Sequence, residues 1–255
     1  MEAPRRIQLV GDSFPDRPAF DTAVSRALME RVAARELPET MRVARPGAMV
    51  AFGRQDVNAA GYAEAARAAR AGGFEAVERL AGGRAAVFHE QTVALAWAVA
   101  ERDALTGTHR RFVKLAAALA AALDALGVDA RVGEVPGEYC PGEYSVNARG
   151  RKKLVGIGQR VIGGGAHLGA VVVVDGAQRV REVLIPVYAA LGLEWDPDTT
   201  GSIAEEIGSV TWPDVAQEII VQLGRRYDLE PRGLDAETLA LAERLEPQHS
   251  SPVVG

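Results

Sequence analysis

Residues 144–174 read Tyr144-Ser-Val-Asn-Ala-Arg-Gly-Arg-Lys-Lys153-Leu-Val-Gly-Ile-Gly-Gln-Arg160-Val-Ile-Gly-Gly-Gly-Ala-His167-Leu-Gly-Ala-Val-Val-Val-Val174. Short apolar runs, Tyr144–Asn147, Lys153–Gly156, Gly158–Val161 and Leu168–Val174, alternate with glycines. Runs of this length, rich in valine and separated by glycine, predict strands joined by tight turns. Strands only a turn apart favour a mixed, largely antiparallel sheet over a doubly wound parallel one.

The flanking chain supplies the rest of an α/β domain. Upstream, Phe20, Val24, Leu28 and Val32 recur every four residues and predict a helix over 19–35. Strands are expected at 41–45 and 48–52 around Pro46-Gly47, at 75–79 and 85–88 joined by Ala81-Gly82-Gly83, at 93–99 and at 131–135. Helices are expected at 61–72, ending at Gly72-Gly73, and at 110–126, ending at Gly127. From about residue 181 the texture becomes helical, over 181–192, 203–208, 211–227 and 235–244. We expect a mixed α/β part over 1–180, a helical C-terminal part of the same domain over 181–247, and a disordered tail over 248–255.

The chain has 255 residues, 48% of them apolar, enough for one real core built mainly of alanine and valine because aromatics reach only 5%. A net charge of −5 argues against a nucleic-acid partner. A single cysteine, Cys140, permits no internal disulfide and suits a reducing compartment. No apolar stretch is long enough for a signal peptide or a membrane span, so a cytoplasmic protein with no membrane partner is expected.

Few residues carry chemistry. Cys140 lies in the loop Pro136-Gly-Glu-Tyr-Cys-Pro-Gly142 rather than on an apolar face; it reads equally as a nucleophile and as an incidental loop thiol. Lys153 opens an apolar strand, where it could face a ligand or guard a sheet edge. The basic run Arg149-Gly-Arg-Lys-Lys153 reads as a solvated turn or a local patch. Gly82-Gly83-Arg84 could bring backbone N–H groups close to a ligand or could form a plain hairpin. His89, directly after a strand, could be a base, a ligand contact or a structural histidine. The spacing of Cys140 and the histidines fits no metal site.

Taken together, these segments resemble the biotin/lipoate protein ligase family in its lipoate and octanoate branch. Arg79-Leu-Ala-Gly-Gly-Arg-Ala-Ala-Val-Phe-His89 is similar to the family's glycine-rich binding segment, and Gly150-Arg-Lys-Lys-Leu-Val-Gly-Ile-Gly-Gln-Arg160 to its lysine motif. Ala166-His167-Leu-Gly169 resembles the segment that closes the pocket. The resemblance implies a mixed sheet wrapped by helices around a tunnel for an eight-carbon acyl chain. It makes Lys153 the active-site lysine and Arg79, Gly82, Gly83, Arg84, His89, Gly156, Gln159 and His167 the substrate-binding residues. Cys140, thirteen residues before Lys153, is similar to the nucleophile of the cysteine-dependent octanoyl and lipoyl transferases (amidotransferases).

The implied activity is transfer of an octanoyl or lipoyl group to a lysine of a lipoyl carrier domain through a Cys140 thioester. The implied carriers are the glycine-cleavage H protein, the 2-oxoacid dehydrogenase E2 or an acyl carrier protein. No cofactor or metal is needed in that reaction. Two alternatives stay open: an ATP- and Mg-dependent lipoate–protein ligase acting through lipoyl-adenylate, and a non-catalytic binder of lipoate or lipoyl domains. The chain departs from the family at Glu78, where an arginine is usual, at Ala81, where a hydroxyl residue is usual, at Glu90 and within Ala94–Ala98. An acidic Glu78 facing the site would oppose a nucleotide phosphate.

Overall fold

A computed structural model describes residues 4–251. Its centre is an eight-stranded sheet. Strands β1 (Arg5–Val10), β2 (Thr40–Ala44), β6 (Thr92–Ala100), β7 (Ala130–Val132), β8 (Val146–Ala148), β9 (Lys152–Ile162), β10 (Gly165–Val173) and β11 (Tyr227–Pro231) lie in the order β11-β1-β2-β6-β10-β9-β8-β7. Only β1 pairs in parallel, with β2 and β11; the remaining pairs are antiparallel. The expected mixed, largely antiparallel sheet is the observed one. A smaller sheet holds β3 (Met49–Phe52), β4 (Glu75–Glu78) and β5 (Ala86–Phe88) in the order β4-β3-β5.

Helices cover both sheets. Helices α4 (Thr108–Ala125) and α7 (Trp212–Gly224) pack on one face of the large sheet, where Leu115, Leu119, Ile219 and Leu223 meet Leu95, Trp97, Val155 and Leu168 in one core cluster. Helix α1 (Pro18–Ala33) packs with α8 (Ala236–Leu245) in a second cluster that includes Ala98 of the opposite face. Helices α3 (Tyr62–Ala71) and α5 (Ala177–Ala190) bury the small sheet. Two short helices, α2 (Arg54–Val57) and α6 (Ile203–Ile207), complete the set.

Four local readings change. Strand β9 runs unbroken through Gly156 and Gly158, where turns were expected, because β10 supplies a continuous partner, Gly158 opposite Gly169 and Gly156 opposite Val171. Glycine carries no turn where a long ladder holds it; it leaves room above the strand instead. The segment 79–85 is not a hairpin turn, since β4 and β5 pair with opposite edges of β3 and never with each other. The helix expected to reach residue 227 stops at Gly224, and β1 and β11 appear at the sheet edge. Residues 248–251, expected as part of a disordered tail, are ordered: Ser250 bridges to Val77, and His249 and Ser251 are buried against β4. Residues 252–255 of that expected tail lie outside the described residues.

Candidate active site

Across the large sheet, register aligns Arg42 of β2, Ala96 of β6, Gly169 of β10 and Gly158 of β9 in one row. The next row holds Ala44, Ala94, Val171 and Gly156. Directly opposed residues share a face, so this face is floored by glycine and alanine where bulkier side chains would otherwise fill the layer. A cavity of about 410 Å³ results, bounded by that floor, by α1 and by the small sheet. Ala94, Ala96, Gly156, Gly158 and Gly169 are only partly buried although they lie in central strands, because they face this space. The volume is that of a small-molecule site, roughly 300–1,000 Å³.

Cys140 lines the cavity on a loop that folds over β9. Its φ is 43°, a left-handed conformation uncommon for a residue with a Cβ. Both of its backbone groups are held. The Cys140 N–H donates to Tyr188 Oη at 2.8 Å, and that hydroxyl donates to Ala85 O at 3.0 Å. The Cys140 carbonyl accepts from Lys153 Nζ at 2.7 Å. Lys153 Nζ also donates to Tyr139 O at 2.9 Å and to Glu138 Oε1 at 2.8 Å, so its three protons are committed to the cysteine loop. The Lys153–Glu138 pair is almost wholly buried. Glu138 further accepts from Ser145 Oγ at 2.6 Å, Gly142 N–H at 3.1 Å and Val135 N–H at 3.0 Å. The buried carboxylate is thereby satisfied on both oxygens.

The thiol has its own cage. Cys140 Sγ lies 3.3 Å from the Arg84 N–H nitrogen and 3.5 Å from Arg79 Nη2. Burial pushes the thiol up, but the Arg79 and Lys153 charges and the hydrogen bonds from Arg84 N–H and Arg79 outweigh it, and the net effect holds Cys140 below its ordinary value. Gly83, at φ 94°, makes this approach possible, since a Cβ there would stand 2.9 Å from Sγ. Gly158 does the same below, where a Cβ would stand 2.8 Å from that of Ala81.

Of the expected site residues, Cys140, Lys153, Arg79, Gly82, Gly83, Gly156 and His167 line one cavity; Gln159 borders it with its backbone alone, since its side chain, level with Leu168 and Trp97, points to the other face and accepts from Arg111 Nε. Arg84 contributes its backbone N–H, while its guanidinium pairs with buried Asp56. His89 stands outside the lining: it is buried against Gly176, and its Nδ1 accepts from the Gln91 N–H. Glu78 also points elsewhere, taking a hydrogen bond from Tyr62 Oη at 3.2 Å, so its charge does not oppose a phosphate in the cavity. Glu90 pairs with Arg179 at the surface. Sequence reasoning missed Glu138, Tyr188 and the buried Asp21–Arg42 pair that lines the cavity from α1 and β2. Little in the local sequence marks them: Lys153 lies 15 residues from Glu138, Arg42 21 from Asp21 and Ala85 103 from Tyr188. Among the described residues no cluster of metal-ligating side chains occurs, and no helix is long and apolar enough to cross a membrane.

Residues 17–223, most of the chain, match the family described as lipoyl protein ligase A/B catalytic domain. The chain belongs to this family. Among relatives of this lipoyl protein ligase A/B domain, two carry the name octanoyl-[GcvH]:protein N-octanoyltransferase. The one from Geobacillus kaustophilus is 26% identical over 82% of this chain and 77% of its own. That from Exiguobacterium sibiricum is 26% identical over 70% of this chain and 78% of its own. Solved structures share the family fold at lower identity. Lipoate-protein ligase A bound with ATP superposes with a TM-score of 0.72 at 17% identity, covering 96% of this chain and 95% of that one. The bipartite lipoate protein ligase of Thermoplasma acidophilum, studied with its E2 lipoyl domain, gives 0.69 at 18% identity, covering 96% and 92%.

Proposed function

We propose that this chain is an acyltransferase that moves an octanoyl or lipoyl group onto a lysine of a lipoyl carrier domain through a thioester on Cys140. The observation that carries this reading is the position of the thiol. A cysteine with a lowered pKa lines a mostly apolar cavity, with a cation and a backbone N–H at its sulfur. The row from Gly158 to Arg42 crosses three strand spacings, about 14 Å. An extended eight-carbon chain advances ~1.2 Å per bond, about 9 Å in all. The chain fits along the row, and each methylene it buries contributes about 0.8 kcal/mol.

In the first step the Cys140 thiolate attacks the acyl carbonyl of a carrier-bound thioester or amide. The C–S bond forms and the carbonyl electron pair moves to oxygen. The Arg84 N–H and the Arg79 guanidinium, both at the sulfur, are placed to receive that charge. Collapse of the intermediate breaks the bond to the donor thiol or amine, which leaves with a proton from water. In the second step the neutral amine of the target lysine attacks the thioester, the C–N bond forms as the C–S bond breaks, the nitrogen gives up one proton to water, and Cys140 departs as thiolate. Lys153 acts as a positioning residue: it fixes the Cys140 carbonyl and adds positive charge near the sulfur. The glycine-cleavage H protein, the 2-oxoacid dehydrogenase E2 and acyl carrier protein are the candidate carriers. The acyl group arrives already activated or in an isoenergetic amide, so no ATP or Mg is required. Ala81, without a hydroxyl, offers a nucleotide one contact fewer.

The experiment presents purified protein with an octanoylated carrier and an acceptor lipoyl domain, and in parallel with free lipoate, ATP and Mg. We expect ATP-independent transfer and a hydroxylamine-labile acyl adduct that Cys140→Ala lacks. Full activity of Cys140→Ala, or lipoylation only from free acid with ATP, would overturn the reading.

A further inference from the structure

The acyl cavity ends on a charged pair that the transfer steps leave unused. Of β2, Arg42 alone lines the cavity, and among the described residues none of β1, the next strand over, does. Beside Arg42 stand Asp21, Thr22 and Ser25 of α1, which line the same end. Arg42 Nη2 donates to Asp21 Oδ1, and Nη1 donates to Asp21 Oδ2 at 3.1 Å. The two residues are 2% and 3% exposed.

The pair is braced from behind. Arg42 Nε donates to the Asp12 carbonyl at 2.9 Å, and the Phe14 N–H donates to Asp21 Oδ1 at 3.1 Å. The guanidinium carbon lies 5.8 Å from the centre of the Phe14 ring. Segment 12–14 thus holds both partners in place.

A buried ion pair is weak support for a fold, since well-packed hydrophobic side chains of similar volume often serve as well or better. Apolar side chains would also suit the end of an acyl chain. What the pair adds is resistance. A chain that pushes between its members leaves a buried charge without its partner, which is strongly unfavourable. An aliphatic wall could yield by changing rotamers.

Distance fixes where that resistance falls. Gly158 lies beneath Ala81 and Arg79, at the thiol end, and the row from it to Arg42 measures about 14 Å. Octanoyl takes up about 9 Å of this, which leaves about 5 Å. The Arg42 side chain stands in that remainder, on the cavity face it shares with Ala96. Two further methylenes need about 2.5 Å more and bring the chain end against the pair.

We propose that the Asp21–Arg42 pair is the end stop of the acyl cavity and limits the acyl chain to about eight carbons. This assignment rests on the acyl-transfer reading above. It makes Arg42 and Asp21 specificity-determining residues, remote from the bond that is made and broken.

The test fixes chains of two lengths on the thiol without asking for transfer. Heptyl methanethiosulfonate reacts with a thiolate: the new S–S bond forms and methanesulfinate leaves. It puts on Cys140 as many chain atoms as an octanoyl group, and the nonyl reagent puts on two more. Cys140 is the single cysteine, so intact mass reports its labelling alone. In the wild type the nonyl reagent should label more slowly than the heptyl by about tenfold or more. The double variant Arg42→Ala with Asp21→Asn removes both charges together and opens the end. In an open apolar channel each added methylene gains about fourfold, so the order should reverse there. Arg42→Lys keeps a cation beside Asp21 and should keep the wild-type order. The ratio of two rates in one protein does not depend on how much of it is folded. Nonyl labelling as fast as heptyl in the wild type, or one ratio shared by wild type and double variant, would refute the end stop. Octanoyl and decanoyl carriers offered to the same proteins should follow the labelling ratios. Labelling as expected, with no transfer from either carrier, would overturn the transferase reading and uphold the end stop.

Discussion

Cys140 keeps φ 43° because Tyr188 holds its N–H and Lys153 its carbonyl. Such strained geometry, of order 1–3 kcal/mol, persists only where the surroundings over-determine it. Removing Lys153 would leave the Glu138 carboxylate buried without its cation, a loss of about 3–5 kcal/mol for a broken buried pair. Lys153→Ala is therefore expected to cut acyl transfer by more than about tenfold and to lower the melting temperature. Lys152→Ala should do little, since Lys152 reaches only the Asp198 carbonyl at the surface. Lys153→Arg should rescue poorly, because a planar fork does not match three separate acceptors. Equal effects at 152 and 153, measured as transfer rates, would contradict this placement. Arg79 sets a second expectation. A cation favours the thiolate, so Arg79→Gln should shift the Cys140 titration upward. Iodoacetamide alkylation followed against pH should show a wild-type midpoint below that of the same thiol in the urea-unfolded chain and a higher one in the variant; an unmoved midpoint would mean that Arg79 is not the source. The sequence made Cys140, Lys153 and Arg79 visible through residue type and motif. It hid Glu138 and Tyr188, whose roles exist only once loop, strand β9 and helix α5 have met.

Strand β9 shows how one element can mislead when read alone. Gly156 and Gly158 read as turn residues, yet they belong to an unbroken ladder with β10, and what they contribute is missing volume. Strands β1 and β11, at one end of the large sheet, escaped notice for a different reason. Arg5-Arg-Ile-Gln-Leu-Val10 and Tyr227-Asp-Leu-Glu-Pro231 are short and half polar, and only their pairing with each other and with β2 defines them. The glycine and alanine floor gives the element-scale prediction. Ala96 lies mid-row between Arg42 and Gly169, facing the cavity. Ala96→Leu places three more carbons in the path of the acyl chain. Each methylene displaced from burial forfeits about 0.8 kcal/mol, roughly fourfold in relative rate. The variant should prefer donors about two or three carbons shorter than octanoyl, with overall stability little changed because the added side chain occupies empty space. Competition among acyl donors of about four to ten carbons measures the shift, and an unaltered optimum would place the chain elsewhere.

At the scale of the whole molecule, two sheets enclose a space between them, and the layers that close it bury His89 and His167 at 1% and 5% exposure. Burial lowers both to about 4; at His89 the charges of Glu90 and Asp175 work against it and that of Arg179 works with it. Among the described residues each has one ring nitrogen with no partner, so neither is compensated for taking a proton. In the unfolded chain the same imidazoles titrate near ~6.5. Folded values depressed below unfolded ones give stability that is whole above ~6.5 and is lost as pH falls toward 4, because the unfolded state alone binds protons in that window. A tenfold drop in proton affinity corresponds to about 1.36 kcal/mol, so each histidine withdraws up to about 3 kcal/mol by pH 4. His249, also lowered mainly by burial, acts in the same direction. Against a total stability of roughly 5–15 kcal/mol for a domain of this kind, these losses decide where the protein unfolds in acid. Urea midpoints recorded from pH 7.5 to pH 4.5 should fall steeply below about 6.5. The variant His89→Asn, which cannot ionise and lies outside the acyl cavity, should flatten that fall whatever it does to stability at neutral pH. An identical pH slope in wild type and variant would show that His89 is protonated as readily in the folded chain as in the unfolded one, against its burial beneath Gly176 at the start of α5.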